Sequence, residues 1–187
     1  MQRVRDDGSL LPYEPASPTA VPPIDASAVQ AITINDYWTG LSSAAPISAV
    51  FRLQPATDCF TGTAQFSVAA WSSAGAINRS VPITVPLPVM EHFLDLLESA
   101  PLDVETYKPV MYMTDSYPEL TIAVRGQVAP IEFCSESQGD QHIPWRVFVR
   151  GQFVTYAGTP AQALDLLDPY LAREVEEEVI DQARNRE

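Results

Sequence analysis

Seventeen prolines divide this 187-residue chain, and their spacing limits it to short elements. Proline has no N–H and a fixed φ, so it is excluded from helix interiors and central strands. Pro12, Pro15, Pro18, Pro22 and Pro23 interrupt a run of Ala, Ser, Thr and Val. Residues 1–30 therefore read as a tail or linker with little apolar surface to bury. Pro82 and Pro86 alternate with Val81, Ile83 and Val85, which demands an edge strand. Pro101 stops the helix that runs from Pro88 to Ser99, and Pro169 kinks or restarts a later one.

Between these marks the pattern is that of strands. Ile47–Leu53 is rich in β-branched and aromatic residues. From Phe60 to Trp71, Phe60, Gly62, Ala64, Phe66, Val68 and Ala70 share one face, and Thr61, Thr63, Gln65 and Ser67 take the other. That alternation marks a half-buried antiparallel strand. Leu120–Val124 and Ile131–Ser135 form a hairpin about Arg125-Gly126-Gln127, and Trp145–Val149 and Phe153–Tyr156 form another about Arg150-Gly151. Met90, Phe93, Leu94 and Leu97 make the stripe of the first helix. The closing helix starts at Thr159 as N-cap, with Pro160 next and Gln162 completing a capping box. Leu164, Leu167 and Leu171 are its buried stripe. The expected fold is α+β: an antiparallel sheet of six or seven strands with two helices on one face. Each helix carries Leu-Asp-Leu-Leu, so two βββα halves are an alternative arrangement. Residues 31–171 would form one domain, followed by an acidic helical extension at 172–187. In that extension Leu171, Val175 and Val179 form a thin seam that a partner chain could use.

Charge narrows the function classes. Eleven basic against 24 acidic residues give a net charge of −13. A phosphate-backbone binder gains its affinity from Lys and Arg, so no nucleic-acid partner is expected. Docking on anionic membranes is disfavoured for the same reason, and no apolar run suits membrane insertion. The basic start at Met1–Gly8 is not followed by an apolar stretch, which suits a cytoplasmic chain or a processed envelope protein. Two cysteines, Cys59 and Cys134, are candidates for a disulfide closing a long loop, which would require an oxidising compartment. The alternative is two separate buried thiols in a reducing cell. Asn78-Arg79-Ser80 is a glycosylation sequon of low specificity.

No nucleophile elbow, P-loop, zinc-protease or EF-hand motif is present, the acidic residues are scattered, and nothing calls for a cofactor or metal. One constellation emerges from topology. A hairpin turning at Gly126-Gln127 brings its two flanks to one end of the sheet. The entering flank carries Asp115 and Tyr117; the leaving flank carries Ser135, Ser137 and Gln138; the next loop brings His142 and Trp145. Polar side chains at strand ends ordinarily cap turns, and aromatics beside proline ordinarily pack a rim. The reading adopted is a non-enzymatic binding or accessory domain, monomer or weak dimer. It is tethered by its tail, with an edge for a protein or small-molecule partner around Asp115, Ser137 and Trp145. The alternatives are a small hydrolase using Ser137 or Ser135 with His142 and Asp115, a Cys134–His142 pair, or an assembly subunit joining through the C-terminal helix.

Overall fold

The computed structural model describes residues 24–38, 47–68, 76–99, 102–103, 119–127, 130–134, 137–138, 141–142, 146–149, 152–156 and 160–185. The fold is α+β. All seven strands expected from alternation and turn chemistry are present. They are β2 (Ile47–Pro55), β3 (Cys59–Val68), β4 (Ile77–Pro86), β6 (Glu119–Val124), β7 (Ile131–Cys134), β10 (Arg146–Val149) and β11 (Gln152–Tyr156). Two further strands, β1 (Val29–Trp38) and the short β5 (Leu102–Asp103), bring the sheet to nine. A separate two-residue ladder joins β8 (Ser137–Gln138) and β9 (Gln141–His142).

The strand order is β4-β3-β2-β1-β6-β7-β10-β11-β5, and every pairing is antiparallel. Two meanders thus lie back to back. β1 to β4 run outward one way and end in helix α1 (Leu87–Ser99). β6, β7, β10 and β11 run outward the other way and end in helix α2 (Pro160–Asp165). They meet where β1 pairs with β6. The halves are therefore four strands and a helix, not three and a helix. β4 closes one edge of the sheet, the place its two prolines require.

Residues 1–23 of the proline-rich tail lie outside the described residues. Ile24 to Gln30, within the expected tail, already belong to the described fold. Ile24 is buried, and its N–H donates to a carboxylate oxygen of Glu98 on α1. Asp25 caps the short 3-10 turn Ala26–Ala28 by accepting from the Ser27 N–H at 2.8 Å. Hydrogen bonds from the Ser27 side chain and backbone hold the Asp25 carboxyl below its ordinary range.

The sheet has one buried and one polar face. On the buried face Ile34 pairs with Phe51, Phe51 with Ala64 and Leu53 with Gly62, and these rows join Phe60, Phe66, Leu120, Ile122 and Phe133 in one core. Phe51 meets Phe66 edge to face, with ring centres 5.7 Å apart. Met90, Phe93, Leu94 and Leu97 of α1 are all buried in this core, as their spacing predicts. Burying side chains of this size contributes about 1.5–3 kcal/mol each.

The closing helix divides in three. α2 ends at Asp165, a 3-10 turn spans Asp168–Tyr170, and helix α3 covers Arg173–Arg184. Pro169 withholds an N–H and Ala172 adopts φ 54°, so the chain changes direction before α3. Thr159, the expected N-cap of α2, lies outside the described residues. Ala163, Leu167 and Leu171 are buried, with Leu164 only half-buried.

The position of α3 corrects the expectation of a helical extension beyond the domain. It packs on β3 and β4, and Val179 is fully buried. Leu171 and Val179 are buried within the protomer, and Val175 is half-buried. Arg173 locks this arrangement. Its guanidinium donates to Glu176 at 2.8 Å, Asp168 at 3.2 Å and Asp36 of β1 at 3.4 Å, and lies 4.8 Å from the centre of the Phe51 ring. Burial works against its charge, but the Glu176 hydrogen bond and the three carboxylates outweigh it and raise the Arg173 pKa.

The expected Cys59–Cys134 bridge is absent, because Cys59 is a free, half-buried thiol. Cys59 sits on β3 and Cys134 on β7, with β2, β1 and β6 between them. Four strand spacings of about 4.8 Å exceed the reach of a disulfide.

Three outcomes follow. A Cβ at position 62 would fall on the carbonyl oxygen of Arg52, which is backbone and cannot yield. Gly62→Ala should cost about 3 kcal/mol, read from urea midpoints, while Thr63→Ala on the exposed face stays within about 0.5 kcal/mol. Arg173→Ala should cost about 1–2 kcal/mol, reduced from a fully buried pair because the side chain is one-third exposed. A double-mutant cycle with Asp36→Asn should recover part of that loss as coupling. Replacing Pro82 with Val and Pro86 with Thr restores donors to the β4 edge and should produce concentration-dependent self-association in light scattering.

Candidate functional site

The β6–β7 hairpin has the register anticipated for a turn at Gly126, whose φ of 83° suits a residue without Cβ. Ile122 pairs with Ile131, Leu120 with Phe133 and Glu119 with Cys134. Cys134 pairs on its other side with Arg146 of β10. Glu119, Cys134 and Arg146 thus form one row across three strands. The row continues into the first meander through Asn35, Val50, Gln65 and Ser80.

The sequence-predicted cluster flanks this row in the chain. Tyr117 and Asp115 precede Glu119 in the chain, Ser135 follows Cys134, and Trp145 precedes Arg146. Asp115, Tyr117, Ser135 and Trp145 themselves lie outside the described residues. Ser137, Gln138 and His142 lie within the β8–β9 ladder, between β7 and β10 in the chain. Ser137 is the partner of His142, and Gln138 is the partner of Gln141. The backbones of Ser137 and His142 are therefore directly opposed. Cys134 belongs to a different ladder from His142.

Two polar residues at this end were not singled out from the sequence. The Asn35 amide donates to the Glu119 carboxylate at 3.3 Å, and both lie on the face opposite the core. Asn35 was missed because β1 was missed. The alternation of Ile32 and Ile34 with Thr33 and Asn35 was the available signal. A bulge between Val29 and Ala31 breaks its period, so Val29 and Ile32 are both buried three residues apart.

A recess of about 420 Å³ lies beside this row, lined by Ser48, Val50, Gln65, Ser67, Asn78 and Ser80 together with Phe66 and Arg79. Gln65 accepts from Arg52 at 2.5 Å. Asn78 of the sequon is exposed on β4. This surface offers hydroxyl and amide groups that can donate or accept, and Arg79 adds a cation to the lining, the chemistry of a polar ligand. A second recess of about 400 Å³ lies between α1 and the α2 region, formed mainly by Pro88, Val89, Leu166, Pro169 and Tyr170. His92 and Asp165 also line it, and both are exposed.

Among the described residues, no three His, Cys, Asp or Glu side chains come together as a metal site. No described helix is long and apolar enough to cross a membrane. Compared with protein-family models, curated proteins and solved structures, the chain matches none of them.

Proposed function

We propose that the chain is a non-enzymatic binding or accessory domain whose partner edge is the sheet end around Asp115, Ser137 and Trp145. The observation that carries this reading is the row Glu119–Cys134–Arg146, in which three chain segments bearing polar and aromatic residues enter or leave at one level. The Asn35–Glu119 pair and the adjoining polar recess extend the same surface and add recognition groups. Interfaces of this kind draw energy from a few aromatic anchors ringed by polar contacts.

The test is site-specific photo-crosslinking in the native host, with the label at position 138 and a control at position 174 on α3. Adducts should form at 138 and not at 174, and Trp145→Ala or Asp115→Ala should weaken them about tenfold or more. Equal labelling at both positions removes the edge as the site.

A hydrolase is the second reading, favoured by the direct pairing of Ser137 with His142. A general base must reach the proton that it abstracts, and opposed positions satisfy the backbone part of that demand. The two readings differ in their response to a fluorophosphonate probe. The binding domain should show no labelling. Stoichiometric labelling lost in both Ser137→Ala and His142→Ala would establish the hydrolase instead.

A further inference from the structure

Strands β2, β3 and β4 contain no Asp or Glu, in a chain that has 24 of them. Their only charged residues are Arg52 and Arg79. We infer that the recess on these strands is a binding site for an acidic saccharide, a hydroxyl-bearing ring that carries a carboxylate.

The first argument is the arrangement of hydrogen-bonding groups. Register places Ser48, Ser67 and Asn78 in one row, and Val50, Gln65 and Ser80 in the next. Neighbouring strands lie about 4.8 Å apart, and alternate residues about 7 Å apart along a strand, so one ring can meet several of these groups at once. Hydroxyl and amide groups both donate and accept, which suits the hydroxyls of a sugar. Half-buried Val50 offers an apolar contact for the C–H face of the ring.

The second argument is charge. Arg52 stands in the following row, opposite Thr63, and its Nη1 donates to the Gln65 side chain in the recess. A neutral amide leaves the guanidinium charge uncompensated. Among the described residues neither Arg52 nor Arg79 is in an ion pair. The Nε and Nη2 groups of Arg52 remain for the two oxygens of one carboxylate, the planar match that a guanidinium makes best. Arg79 also lines the recess and adds to the local positive field. Glu119 lies two strands from Val50 along the second row, and its carboxylate accepts from the Asn35 amide. The net charge of −13 does not forbid an anion here, because charges beyond about 8 Å are largely screened in physiological salt.

None of these groups belongs to the proposed partner edge around Asp115, Ser137 and Trp145, so the two readings stand or fall separately. The test is titration of the nitrogen-15-labelled full chain with trisaccharides of galacturonic, glucuronic and mannuronic acid, each also as its neutral methyl ester. At least one acid should move the amide signals of Gln65, Ser67 and Ser80, and its ester should bind about tenfold or more weaker. Arg52→Gln should abolish the preference for the acid, Arg52→Lys should keep part of it, and Trp145→Ala should change nothing. No response to any of the three acids, shifts confined to other strands, equal binding of acid and ester, or a preference that survives Arg52→Gln overturns the site. A second variant leaves the arginine in place, in case its loss disturbs the strand. Ser67→Ala with Ser80→Ala should weaken acid and ester alike, and unchanged affinity there overturns the site independently.

Discussion

Everything in this sheet hangs on one strand that pairs on both its edges. β1 lends one edge to β2 and the other to β6, and among the described residues no other strand pairing joins the two meanders. Because side chains alternate at each step, these two registers fix which face of every other strand looks inward. Ile32 and Ile34 meet Leu53 and Phe51 on one side and Ile122 and Leu120 on the other. A slip of one residue at β1 would turn both rows to solvent.

The helical layer depends on that sheet and completes it. α1 buries four large side chains, which commits it to the inner face of β3 and β4. α3 is held differently. Five of its residues are Glu or Asp, and Val179 is its only fully buried side chain, so apolar burial alone holds it weakly. Arg173 supplies the remainder by tying the start of α3 to Asp36 on β1 and to the Phe51 ring on β2. The central strand thus organises the helices as well as the sheet.

The same geometry gives the proposed partner edge its form. The row through Asn35, Glu119, Cys134 and Arg146 gathers segments distant in sequence at one level. Register, not any local motif, brings these residues together. This explains why the chain carries no recognisable signature there. The Asn35–Glu119 contact escaped hairpin arithmetic because it joins strands of the two meanders.

Local chemistry alone determined a great deal. The alternation in β3, the stripe of α1, the turn at Gly126 and the edge position of β4 were all legible, because each depends on a period or a proline that neighbours cannot override. The seven strands and the break at Pro169 follow from the same signals. What only the tertiary structure decided depends on contacts between distant segments. β1 was obscured by a bulge that shifts its buried residues out of phase. The Cys59–Cys134 bridge was plausible by composition and is excluded by strand order, which sequence spacing does not encode. The place of α3 rests on one arginine finding Asp36, 137 residues away in the chain, and a sequence window has no view of such a pairing.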